Sequence, residues 1–178
     1  GSLSWLQIGG NQISDAGMVS FSEAITSGAL GSLLRLDLCN NQISNEGMKS
    51  LSSAIASGSL GSLQNLALWM NQIGDEGMKA FSSAVASGSI RKLELLFLDR
   101  NQISDDGMEA FSDAIASGSL GSLVVLSFGS NRIGDAGMKA FAGAIASGSL
   151  PSLRTCIDDA PLGTEHPQLM KRVELVSR

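Results

Sequence analysis

The chain has 178 residues, a net charge of −5 and 4% aromatic residues, with no Tyr. A general nucleic-acid binder needs a basic stripe to displace counterions from phosphates, and the acidic balance without any basic run excludes it. No segment approaches the ~20 uninterrupted apolar residues that span a bilayer. Sparse aromatics predict an interior of Leu, Ile, Ala and Met in small repeated layers.

One phrase recurs five times, with Asn11, Asn41, Asn71, Asn101 and Asn131 spaced 30 residues apart. It reads Leu-x-x-Leu-x-Leu-x-x-Asn-x-Ile, then Asp/Asn-x-Gly-Met, then a helical stretch closing on Ser-Gly-x-Leu. A period of that length predicts a solenoid, in which each unit buries its apolar face against its neighbours. The first unit begins in register, since Gly1-Ser2-Leu3 matches Gly31-Ser32-Leu33. It reads as starting mid-array, with an uncovered strand edge. The expectation is either truncation from a longer protein or self-association through this end. No signal peptide is recognisable.

The second unit shows how one copy folds. Leu33, Leu36 and Leu38 alternate as a short strand requires. Met48, Leu51, Ala54 and Ile55 then recur at three- and four-residue spacing, which is a helical apolar stripe. Ser44 or Asn45 is placed to cap that helix, and Gly58 to end it; Leu60 returns the chain to the core. Parallel strands stack at ~4.8 Å whereas helices need ~10 Å. The helix layer must therefore splay, and the stack must curve with its strands on the concave side.

This pattern resembles the leucine-rich repeat family, in its ribonuclease-inhibitor-like branch with long helical units, over residues 3 to about 155. The resemblance implies an α/β fold: a curved leucine-rich-repeat solenoid, or horseshoe, with parallel strands on the concave face and helices on the convex face. It also implies that Asn11, Asn41, Asn71, Asn101 and Asn131 form a structural ladder that bonds buried loop backbone between neighbouring coils. Buried backbone groups must find partners, so that role has a physical basis and no metal is needed to explain the column. The methionines Met18, Met48, Met78, Met108 and Met138 read as core packing, each preceded by a glycine.

Through the third to fifth units the framework slots hardly change, whereas the strand slots that point away from the core diverge. One holds Trp5, Arg35, Asn65, Leu95 and Val125; the next holds Gln7, Asp37, Ala67, Phe97 and Ser127. A third runs Gly9, Cys39, Trp69, Asp99 and Gly129, beside Gly10, Asn40, Met70, Arg100 and Ser130. These side chains are expected to face solvent in the concavity. Trp69, Met70, Leu95, Phe97 and Val125 should form one apolar patch, flanked by Arg35, Asp37, Asp99 and Arg100, the anatomy of a protein-binding hot spot. The alternative is that Trp69 and Phe97 lie flat and merely shield the sheet.

Near the end Pro151 breaks the pattern, Cys156 replaces a core Leu and no Asn fills the expected slot. Residues 1–155 thus hold five repeats and the start of a sixth strand, and 156–178 read as a divergent C-terminal cap. There Leu169, Val173 and Val176 share one helical face. Irregular tail and uneven concave slots favour a natural gene over an engineered one. Cys39 and Cys156 should lie four strand steps, roughly 19 Å, apart. A disulfide needs Cα atoms within about 7 Å, so both are expected to stay reduced, as in an intracellular, cytoplasmic setting.

Chemistry is poorly represented. His166 stands alone in the tail, no nucleophile elbow surrounds any serine, and Asp158 and Asp159 are adjacent and diverge. No Cys/His cluster or phosphate loop appears, so no catalytic residue, metal or cofactor is expected. The reading is a non-enzymatic protein–protein recognition module with a partner of unknown identity, bound through Trp5, Arg35, Asp37, Asn65, Trp69, Met70, Leu95, Phe97, Asp99, Arg100 and Val125. The alternatives are a GTPase-activating or regulatory leucine-rich-repeat domain acting through Arg35, Arg91 or Arg100, and a structural spacer within a larger protein.

Overall fold

A computed structural model describes residues 2–157 of the chain. The face expected of Leu169, Val173 and Val176 in the C-terminal cap lies outside them. Five strand–helix units follow one another: β1 (Trp5–Gln7), α1 (Asp15–Thr26), β2 (Arg35–Asp37), α2 (Asn45–Ala56), β3 (Asn65–Ala67), α3 (Asp75–Ala86), β4 (Leu95–Phe97), α4 (Asp105–Ala116), β5 (Val125–Ser127) and α5 (Asp135–Ala146). A sixth strand, β6 (Thr155–Ile157), closes the described chain. The strands form a single parallel sheet in sequence order. Each residue pairs with its equivalent one unit on, as in Leu6↔Leu36, Leu36↔Leu66 and Leu66↔Leu96.

The core lies between sheet and helices. Leu36, Leu66, Leu96 and Leu126 point into it from the strands; Met48, Leu51, Ala54 and Ile55 meet them from α2. The interior is not wholly aliphatic, contrary to the expectation from composition. Phe81, Phe111 and Phe141 are buried on α3, α4 and α5, with the Phe81 and Phe111 rings stacked at 6.1 Å. The reason is geometric: helices spaced at ~10 Å leave more volume per layer than strands at ~4.8 Å, and bulkier side chains fill the splay.

Two sets of hydrogen bonds tie coil to coil. Asn71 Nδ2 donates to the carbonyls of Leu38 in the preceding coil and Leu68 in its own, each at 3.1 Å, while its Oδ1 accepts from Ile43 N at 3.1 Å. Asn41, Asn101 and Asn131 each bond the preceding coil in the same way. Asn11 is exposed and bonds within its own coil, to the Ile8 and Gly9 carbonyls.

The second set caps the helices. Ser44 does accept from Glu46 N within its own helix, at 3.4 Å. Asn45 does something else: its Oδ1 accepts from Gly74 N (2.8 Å) and Gly77 N (3.0 Å), capping α3 in the following coil. Asp15 caps α2 through Ser44 N and Gly47 N, Asp75 caps α4 through Ser104 N and Gly107 N, and Asp105 caps α5 through Gly134 N and Gly137 N. Orphan first-turn amides are thereby satisfied from outside the helix. This also explains the glycine that precedes Met48, Met78, Met108 and Met138: a Cβ on Gly107 would stand 2.6 Å from Asp75 Oδ1.

Candidate binding face

Helices cover one face of the sheet, so the strand slots 5/35/65/95/125 and 7/37/67/97/127 lie on the other. The structure divides that concave face in two. On β1 to β3 the outward slots are open: Trp5 is 51% exposed, and Arg35, Asp37, Asn65 and Ala67 are half-buried. The Arg35 guanidinium sits 5.8 Å from the centre of the Trp5 ring, within cation–π range. On β4 and β5 the same slots are closed, with Leu95 4%, Phe97 5% and Val125 8% exposed. The expectation that all of these side chains face solvent therefore fails for Leu95, Phe97 and Val125. They pack on one another and on Ala67, Trp69 and Val124, as a small apolar cluster separate from the main core.

Asp99, expected as a flanking surface charge, is fully buried. Its Oδ1 accepts from the Ser127 hydroxyl and from Gly129 N, and its Oδ2 has no hydrogen-bond partner among the described residues. Asp37 is half-buried; its Oδ1 accepts from Cys39 N at 2.9 Å. Burial first, and then that carboxylate, push the Cys39 thiol up to about 12.

Where the strands end, the chain turns through a left-handed residue in every unit: Gly10 (φ 71°), Asn40 (49°), Met70 (55°), Arg100 (52°) and Ser130 (55°). Gly and Asn suit that conformation, but Met and Arg do not. Met70 and Arg100 are neighbours there, with Arg100 Nη1 3.8 Å from Met70 Sδ, and both are half-buried beside the half-buried Trp69. This strained pair was invisible in the sequence reading, although the alternation of Gly and Asn with bulky residues in one slot was the available signal.

The three arginines of the GTPase-regulating alternative are engaged separately. Arg35 stacks on Trp5, Arg100 touches Met70, and the Arg91 guanidinium lies over Gly88 at a coil junction. Among the described residues no group of three or more His, Cys, Asp or Glu side chains gathers as a metal would require, and no helix is long and apolar enough to cross a membrane.

The leucine-rich repeat pattern matches residues 2–22, 32–52, 62–82, 89–112 and 122–142, more than half of the chain. The chain belongs to the leucine-rich repeat family. No curated protein matches it in sequence. Among solved structures it is similar to the leiomodin-1 actin-binding site 2, at 18% identity and a TM-score of 0.62, covering 88% of this chain and 86% of that one. An internalin from Listeria monocytogenes matches at 21% identity and a TM-score of 0.43, covering 92% of this chain and 48% of that one. Leucine-rich repeat proteins of this kind are typically non-enzymatic binding modules that take protein partners.

Proposed function

We propose that this repeat stack is a protein-recognition module without catalytic activity, and that it takes its partner on the open part of the concave face. The observation that carries the reading is the backbone at Met70 and Arg100. A bulky residue in that left-handed slot costs of order 1–3 kcal/mol, and Gly10 shows that the fold itself accepts glycine there. Side chains kept against the backbone preference, half-exposed beside Trp69 and rimmed by Arg35, Asp37 and Asn65, fit an aromatic anchor with a polar rim. In leiomodin-1 a stack of the same fold is named as an actin-binding site, so such a stack can carry a protein-binding face.

The ribonuclease-inhibitor-like branch belongs to the same proposal, supported by a 12-residue helix in every unit. An intracellular, cytoplasmic setting belongs to the same proposal. The test is quantitative affinity capture with the wild-type chain against a Met70→Gly/Trp69→Ala variant. Partners bound specifically by the wild type should fall by roughly tenfold or more with the variant, while its circular dichroism stays unchanged. Equal capture by both proteins would sink the reading.

Exposed Leu3, Trp5 and Val19 in the first coil favour a second contact, self-association through that end. Sedimentation velocity should then show a concentration-dependent dimer that Trp5→Glu abolishes.

A further inference from the structure

Two cations border the open half of the concave face, and neither meets an acid. Arg35 on β2 lies 5.8 Å from the centre of the Trp5 ring, and Arg100, beyond β4, has Nη1 3.8 Å from Met70 Sδ. A thioether sulfur is a weak acceptor, and Arg100 Nε is buried with no acceptor among the described residues. The ion pairs among those residues lie elsewhere, on α2 and α3: Lys49 with Glu46 and Lys79 with Glu76. The acids nearest in sequence are occupied by other donors. Asp37 Oδ1 accepts from Cys39 N, and buried Asp99 accepts from Gly129 N and the Ser127 hydroxyl.

Both guanidiniums are braced. A guanidinium over an aromatic ring keeps its in-plane N–H fork for a planar acceptor such as a carboxylate. Arg100 is kept in a left-handed slot that Asn40 fills without difficulty one sheet position further back. The two arginines stand two strand steps and five residues apart, roughly 10 Å across the sheet and about 16 Å along it. An extended chain covers that diagonal of about 19 Å in about six residues. On the intervening coil sit half-buried Trp69 and Met70, an apolar platform for one side chain of such a chain. A polyanion is a poorer occupant, because a protein of net charge −5 repels it as a whole.

We propose that the open half takes an extended acidic segment of a partner protein. One carboxylate pairs with Arg35, a second about six residues away pairs with Arg100, and an apolar side chain between them packs on Trp69 and Met70. This rests on the open concave face being the binding surface, and adds what that surface selects.

The test is selection of a phage-displayed random decapeptide library on the purified full chain. Enriched peptides should carry two Asp or Glu residues about six positions apart around an aromatic or aliphatic residue. A synthetic peptide of the enriched sequence should bind roughly tenfold more weakly to Arg35→Gln and to Arg100→Asn, since each loses a charge-assisted hydrogen bond. Circular dichroism should not change, and Asn40 shows that the fold accepts Asn in that slot. Selection on Arg35→Glu should replace one of the two acids by Lys or Arg. Enriched peptides without paired acids, lost on Met70→Gly/Trp69→Ala but retained by both arginine variants, would overturn this inference and leave the concave binding surface standing. No enrichment over denatured chain, or peptides indifferent to all of these variants, would overturn both. Displacement of the peptide by single-stranded oligothymidine would reveal a general anion site and overturn the acidic-segment proposal.

Discussion

Cys39 lies two residues past the end of β2 with its amide bonded to Asp37 Oδ1, and burial together with that carboxylate pushes its thiol up to about 12 from an ordinary value of 9.0. At pH 8 the thiolate, which is the reactive form, is then scarce. Iodoacetamide should modify the exposed Cys156 well before Cys39, as peptide mass spectrometry would show. Asp37→Asn removes the negative charge and should speed Cys39 labelling severalfold. An unchanged rate would mean that burial alone protects the thiol. The slots of Leu95, Phe97, Val125 and Asp99 in the repeat do not reveal that these residues are buried. Alternation says which side of a sheet a side chain takes; it does not say what lies across that side.

At the scale of elements, the cap that links each helix to the next is a device in two versions. Asp15 and Asp75 face Ser44 and Ser104, accepting from both amide and hydroxyl, whereas Asn45 and Asp105 face Gly74 and Gly134. For Asp15 and Asp75 partial burial opposes ionisation. The bonds from Ser44 and Gly47, or Ser104 and Gly107, outweigh it and hold both carboxyls below the usual range. A lowered folded pKa adds stability that is complete above the ordinary value of about 4 and is lost as pH falls through the native one. Asn45 performs the same service with no charge, so Asp75→Asn should cost little at pH 7 and retain more of its stability than the parent near pH 2. Thermal melts across that range check this, and identical acid slopes would exonerate the carboxylate. The Asn ladder is less forgiving. Asn71→Ala strands the buried Ile43 amide and removes one of the two side-chain donors on each of the Leu38 and Leu68 carbonyls, and should cost about 2 kcal/mol in urea denaturation. A loss under about 1 kcal/mol would mean water replaces the side chain.

Over the whole molecule, stability is a sum of coils and the interfaces between them. Coil one has a neighbour on one side among the described residues, and Val19 on α1 is exposed, whereas α3 packs between α2 and α4. Amide hydrogen exchange in α1 should therefore run at least about tenfold faster than in α3. Equal protection would mean that the stack opens only as one unit.

The repeat period, the strand and helix of each unit and the identity of the core columns were determined by the sequence itself, because apolar spacing of two and then three to four residues is local and was written five times over. The inter-coil cap was not legible, since Asp15 and Ser44 lie 29 positions apart and an acid in a first turn looks like a cap for its own helix. The division of the concave face into an open half on β1 to β3 and a closed half on β4 and β5 was likewise decided only by the tertiary structure. A slot's direction follows from strand geometry, but its exposure depends on the neighbours it packs against, as Leu95, Phe97 and Val125 do with one another and with Ala67, Trp69 and Val124.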